Sequence, residues 1–247
     1  MFSAKTIMRW LSARWVPSMM SRGSGIRPLL GFGANLTGAN FIGYFANNVT
    51  PFAIGYVGGA QPLGLYNRAN MLTSIPSSQL LPPIINVLQP TVARIAGDPE
   101  KLNRTMTSLM GKLALVSTLV TVTMTLFADW IVIIFLGAAW NDAIPLFRML
   151  AVYSFIQPLA GLIAVALVAS GEGRAMIVSK LHSLFITVVA LLVGSYWGVF
   201  GIVLAFSLSG LLIRLPVFLY YSSRFLPLSF LEFSKPIFPA LACAIST

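Results

Sequence analysis

The chain has 247 residues, of which 57% are hydrophobic and only 9% charged, and its mean hydropathy is +0.86. A soluble domain carries about 25% charged residues, so this composition excludes an ordinary water-soluble globular protein and indicates a polytopic integral membrane protein. The net charge of +10 does not indicate nucleic acid, which needs basic residues clustered on a solvated face. Here the basic residues fall in the gaps between apolar runs, the positive-inside pattern.

Residues 1–28 form a basic segment with Lys5, Arg9, Arg14, Arg22 and Arg27 and no acid. Such a start fits an organelle transit peptide. It fits equally a cytoplasmic segment lying on anionic headgroups, with Trp10 and Trp15 in the interface, and the loops that follow favour this second reading.

Residues 29–221 then read as six apolar spans. The first, Leu29 to Gly55, is rich in Gly and Asn, and YVGGAQPLG turns the chain into the second, which runs from Gly64 to about Ala96. A polar connector, GDPEKLNRTMTSLMGK, precedes a Thr- and Val-rich third span, Leu113–Leu136. The turn GAAWNDAIP leads to a fourth span, Leu146–Ala169, and SGEGRAMIVSK to a fifth, Ile177–Tyr196. WGVFG is a tight turn into the sixth, Ile202–Tyr221. Residues 222–247 hold a connector and a final apolar run of 12 residues, Pro236–Thr247. A crossing takes roughly 20 residues, so the expectation is a seventh span only begun. The fold class expected is all-α, a polytopic transmembrane helix bundle of six complete spans plus the start of a seventh.

Charge fixes the orientation. With the N-terminus inside, the inner loops hold 13 basic residues (Lys5, Arg9, Arg14, Arg22, Arg27, Arg94, Lys101, Arg104, Lys112, Arg174, Lys180, Arg224, Lys235) and the outer loops 2, Arg68 and Arg148. Arg214 lies in the inner half of the sixth span.

The second span organises the rest. Between Gly64 and Gln89 it carries Asn67, Arg68, Asn70, Gln79, Asn86 and Gln89, with prolines at 76, 82 and 83. An unsatisfied polar group in hydrocarbon costs several kcal/mol, roughly, so one face must turn toward protein or a watery cavity. The candidate cavity-lining, substrate-binding residues are Asn40, Asn47, Asn48, Arg68, Asn70, Gln79, Asn86 and Gln89. Their amides suit the hydroxyls and oxyanions of a polar ligand, but the same amides serve as glue between helices, at about 0.6–2 kcal/mol per contact. Arg68, Arg148 and Arg214 offer guanidinium forks to a diphosphate, or else snorkel to the interface. Asp129 is a protonatable coupling group or an interfacial carboxylate beside Trp130. His182 is a proton relay or a satisfied interfacial histidine. Pro76, Pro82 and Pro83 bend the helix as hinges or as static kinks. Gly137 and Trp140-Asn141-Asp142 read as a structural turn. One cysteine, Cys243, and one histidine exclude an internal disulfide framework and a multi-histidine metal site. No catalytic residue, metal or cofactor is expected.

From FG through the Gly/Asn-rich span, IG…GG…LGLYNRA, IP, QPTVARIAGD, FLGAAWNDA and a span ending ASGEGR, the chain resembles the polysaccharide flippases. These are exporters of the lipopolysaccharide, colanic acid and teichuronic acid type within the multidrug/oligosaccharidyl-lipid/polysaccharide superfamily. The resemblance covers roughly Trp15–Arg224. It implies a pair of six-helix bundles around a central cavity, of which this chain resembles the second, so a complementing N-terminal bundle or a homodimer is expected. The start, MFSAKTIMRWLSARW, reads as a connector entered midway. Members often carry an Asp before the IG element and a basic residue after it, where this chain has Thr50 and Tyr56.

The function implied is movement of undecaprenyl-diphosphate-linked oligosaccharide or polysaccharide units across the bacterial cytoplasmic membrane by alternating access. Its partners are the lipid bilayer and the lipid-linked substrate, with no nucleic acid. The alternatives are a multidrug exporter of the same superfamily, an intramembrane enzyme of polysaccharide assembly, and an inactive half-protein. The six acids, Asp98, Glu100, Asp129, Asp142, Glu172 and Glu232, do not pair across any plausible catalytic site, so the expectation is not an enzyme.

Overall fold

A computed structural model describes residues 26–95 and 97–225. The basic segment before Ile26, and residues 226–247 with the rest of the final connector and the seventh apolar run, lie outside the described residues. The chain divides into two compact units, residues 1–31 and 32–247, and the packing below is that of the second.

Every regular element among the described residues is helical: α1 (Ile26–Gly58), α2 (Ala60–Ile95), α3 (Pro99–Leu126), α4 (Ala128–Leu136), a short 3-10 segment (Ala138–Ala143), α5 (Ile144–Ser154), α6 (Ile156–Ala169), α7 (Gly173–Ser195), α8 (Gly198–Ser209), a π turn (Gly210–Arg214) and α9 (Leu215–Phe225). Gly59 alone separates α1 from α2. Its φ of +79° is a left-handed value that a side chain resists, so a glycine there lets the chain pass from one long helix to the next without a loop.

Four stretches are long and apolar enough to cross a membrane: Glu100–Leu126, Ala138–Ala169, Gly173–Ser195 and Gly198–Tyr220. The protein is therefore a multi-pass membrane protein built as an all-α bundle. α1 and α2 have 33 and 36 residues, about 50 Å at 1.5 Å per residue, ample for a hydrocarbon core of about 30 Å. Their Asn, Gly, Gln and Pro content keeps them below the other four in apolarity. Pro51 lies inside α1, and Pro76, Pro82, Pro83 and Pro90 lie inside α2. Each proline removes a helical N–H. Separately from these breaks, hydroxyls along α2 bond carbonyls of their own helix one turn back: Thr73 donates to Asn70 O at 3.1 Å, Ser74 to Met71 O at 2.8 Å and Ser78 to Ile75 O at 2.9 Å.

Two helix boundaries differ from the sequence expectation. The polar connector before the third span is helical. Asp98 caps α3, its carboxylate accepting from Lys101 N–H at 3.1 Å, and Pro99 occupies the first turn, where its missing N–H costs nothing. Leu102, Met106, Met110 and Ala114, four residues apart, are fully buried, so the charged residues hide an amphipathic stripe. Starting that early, α3 ends at Leu126, and the chain breaks at Phe127 before the nine-residue α4. The fourth span is likewise two helices, α5 and α6, meeting at the buried Phe155.

Lipid offers no hydrophobic drive for helix association, so close packing and small residues must supply it. α7 and α8 form the tightest pair: a Cβ on Gly194 would lie 2.5 Å from Gly201 O and 2.9 Å from Ile202 Cα. The apolar window of Ala138–Ala169 is 56% buried and that of Gly173–Ser195 only 22%, which puts α5 and α6 inside the bundle and α7 at its periphery. One buried cluster joins Leu102, Met106, Phe155, Leu159 and Ile163. A second joins Ile54, Tyr66, Leu72, Phe147, Leu150 and Ile202. α1 leaves Phe41, Tyr44, Phe45, Phe52 and Tyr56 exposed.

Candidate functional site

A cavity of about 620 Å³ opens among α1, α2, α6, α7 and the α8–α9 junction. Helical periodicity puts its lining there. Gly43, Ala46, Asn47 and Thr50 recur every three or four residues on α1; Tyr66, Asn70 and Ser74 do so on α2; Gln157, Ala160, Gly161 and Ala164 do so on α6. The small residues leave the volume, and the amides and hydroxyls among them make it polar.

Two cations enter this lining, Lys180 from α7 and Arg214 from the π turn, and no Asp or Glu does. Among the described residues Lys180 has no recorded partner. Arg214 is held on three sides. Its Nη1 donates to Thr187 Oγ1 at 3.2 Å and its Nη2 to Phe206 O at 2.9 Å. Its guanidinium carbon sits 4.9 Å from the Tyr153 ring centroid and 4.5 Å from that of Phe206, within cation–π range. Its Nε is buried with no partner. Arg214 is thus bonded within the bundle, and the snorkelling reading of it does not describe its place. Thr50, where the resemblance led us to look for an acid, is buried against the cavity with Oγ1 unpartnered, whereas Tyr56 is exposed.

Of the eight amide and arginine candidates, Asn47 and Asn70 line this cavity together. Asn40, Asn48, Arg68, Gln79, Asn86 and Gln89 are exposed away from its lining. Asn48 donates to Tyr44 O one turn back, at 2.7 Å. Arg68 stacks over Trp140, 5.5 Å from the ring centroid. Arg148 pairs with Asp129 at 2.6 Å, and His182 Nδ1 lies 2.8 Å from Val178 O. The sequence reading passed over Lys180, Gln157, Tyr66 and Tyr153. Lys180 reads in the sequence as a loop charge, but α7 begins at Gly173 and carries it on the cavity face. Gln157, alone in an apolar run, was the available signal.

The arrangement suits a ligand that is anionic at one point and rich in hydroxyls elsewhere. Lys180 and Arg214 supply positive charge without an internal counter-ion, the amides of Asn47, Asn70 and Gln157 supply donors and acceptors, and Tyr66, Tyr153 and Phe206 supply ring faces. Among the described residues no group of three or more His, Cys, Asp or Glu side chains converges as a metal site would require.

The chain is 26% identical over 186 residues to the lipopolysaccharide biosynthesis protein WzxC of Escherichia coli (strain K12), covering 75% of this chain and 38% of that one. It is 25% identical over 172 residues to the teichuronic acid biosynthesis protein TuaB of Bacillus subtilis (strain 168), covering 69% of this chain and 36% of that one. The chain thus spans little more than a third of the length of these relatives. No solved structure matches significantly. The model of a family described as polysaccharide biosynthesis proteins matches residues 3–145, more than half of the chain, and on that match the protein belongs to the polysaccharide biosynthesis protein family.

Proposed function

We propose that the protein carries lipid-linked saccharide units, joined to undecaprenyl through a diphosphate, across the bacterial cytoplasmic membrane by alternating access, and that the cavity is where the polar head rests. The observation that carries this reading is the pair of cations, Lys180 and Arg214, in a membrane-embedded cavity whose lining has no acid. Uncompensated positive charge inside a membrane is costly and is accounted for by an anionic cargo. The diphosphate would meet the cations, and the sugars the amides and rings. A multidrug exporter of the same superfamily is less well supported, because a cationic drug would be repelled by this lining. An intramembrane enzyme would need an acid or base beside the reacting bond.

Alternating access requires two bodies moving against each other. The second body in this proposal is a complementing bundle, from a partner chain or a second copy, in keeping with the share of its relatives that this chain spans. The candidates outside the cavity lining, Gln79, Asn86 and Gln89 among them, would line the space shared with that bundle. The test is translocation of a fluorescent lipid-diphosphate saccharide in proteoliposomes, with the chain alone and with a candidate bundle. Transport that survives Lys180→Gln and Arg214→Gln together would count against the cavity as the substrate site.

A further inference from the structure

The junction of α8 and α9 is a π turn, and its construction centres on Arg214. Leu215 N–H reaches back five residues to Gly210 O, so one more residue is held in the turn than an α-helix would hold. Such turns are rare and are frequently found at functional positions. Arg214, the turn's last residue, folds back over it. Its Nη2 bonds Phe206 O at 2.9 Å, a carbonyl that also accepts Gly210 N–H. Its Nη1 reaches Thr187 on α7 at 3.2 Å, and its guanidinium lies over Tyr153 of α5. Gly210 makes this possible: a Cβ there would sit 2.6 Å from Tyr153 Cδ2 and 2.8 Å from Arg214 Nη2.

We propose that Arg214 is a positioning residue that holds the π turn open and thereby sets which face of α9 lines the cavity, and that an oxyanion entering the cavity releases it. If the turn reverts to α-helix, α9 rotates by about 100° relative to α8, one residue's worth of a helix with 3.6 residues per turn. Leu215 and Phe218, which now line the cavity, leave it, Val217 takes the place of Phe218, and the exposed Pro216 turns inward to the place of Val217. An oxyanion competes for the same N–H donors that Phe206 O and Thr187 Oγ1 now occupy, and a charged acceptor makes the stronger bond. The π turn thus converts occupancy of the cavity into a change of its wall.

The release step rests on the cavity accepting an anion, as in the transport reading, but the register step does not. The test is a nitroxide scan of positions 215–220 in the full chain, in nanodiscs of zwitterionic lipid and in a Cys243→Ser background, read as accessibility to lipid-dissolved oxygen. In the unliganded protein the maxima fall at Pro216 and Tyr220. In Arg214→Gln and Gly210→Ala the pattern shifts by one position, to Leu215 and Leu219. Inorganic pyrophosphate produces the same shift in the otherwise unaltered protein and none in Arg214→Gln. A folded Arg214→Gln with an unshifted pattern overturns the register step. A pyrophosphate-insensitive parent protein overturns the release step, and should neither variant fold, this arm decides alone. Loss of saccharide transport with the shift intact would sink the transport reading and leave this one standing.

Discussion

Arg148 Nη2 lies 2.6 Å from Asp129 Oδ2, joining the first turn of α4 to α5. Both side chains are about half exposed, at 47% and 50%, and exposed pairs of this kind contribute about 0–1 kcal/mol. The pair gives Asp129 a structural partner, which weighs against it as a carrier of coupling protons. Asp129→Asn is expected to lower the melting temperature only slightly and to leave transport and its pH profile unchanged. An abolished or acid-shifted transport profile would reinstate the coupling role.

The α7–α8 contact is expected to be the least tolerant of added volume. A methyl on Gly194 meets backbone, Gly201 O at 2.5 Å, and backbone cannot turn aside as a flexible side chain does. Overpacking costs about 1–3 kcal/mol and occasionally more, and here two helices must separate. Gly194→Ala should sharply reduce the folded fraction recovered from membranes. Gly64, inside α2, has nothing within 4 Å of its added Cβ. Gly64→Ala should therefore be neutral, or stabilising by up to about 1 kcal/mol through helix propensity. Equal behaviour of the two variants would contradict the packing at Gly194.

The α3 cap makes stability depend on pH in one direction. Hydrogen bonds from the Lys101 side chain and then its backbone N–H, with the lysine's charge adding, hold the Asp98 carboxyl below its usual range. The unfolded chain therefore binds this proton more tightly than the folded one. The cap's contribution is complete above the unfolded value of about 3.9 and is lost as pH falls through the lower folded value. Asp98→Ala should speed amide exchange in the first turn of α3 at neutral pH. In the parent protein the same turn should loosen only below about pH 4. Loosening that begins near pH 6 would implicate another group.

Class and membrane character were legible because they rest on composition, which needs no contacts. Four of the six expected spans also emerged as apolar enough to cross. Helix starts were harder to read. Asp98-Pro99 is a start signal, yet the charges of Lys101 and Arg104 masked the buried Leu102–Met106–Met110 stripe behind it. The site was partly legible for a related reason. Asn47 and Asn70 announce polarity within apolar helices, but so do Asn86 and Gln89, and only the rotation of each helix separates those on the cavity lining from the rest. Lys180 was concealed by its nearness to a connector. The π turn was harder to read, because Gly210 and Arg214 acquire their relation only when Tyr153 of α5 packs against both.

The amide positions can be sorted by reagent access. With Cys243→Ser as background, Asn47→Cys, Asn70→Cys and Gln157→Cys should react with a water-soluble maleimide, and pyrophosphate should protect them, because all three line the cavity. Asn86→Cys and Gln89→Cys, exposed but outside that lining, should show no protection by pyrophosphate. Protection at all five positions would mean that the cavity extends along the whole of α2.

Lys180 offers the sharpest test of charge in the cavity. It lies in the lining without an acid near it, so an anion bound there gains a charged hydrogen bond of about 1.5–3 kcal/mol. At about 1.4 kcal/mol per tenfold change, Lys180→Gln should weaken pyrophosphate binding by roughly 10- to 150-fold in calorimetric titration of nanodisc-embedded protein. Arg68→Gln is the matched control: it removes the same charge, but Arg68 stacks on Trp140 and is absent from the lining. Its affinity should stay within about twofold of the parent value, a difference below 0.5 kcal/mol. Were the two variants to weaken binding equally, the effect would belong to the protein's overall positive charge and not to this cavity.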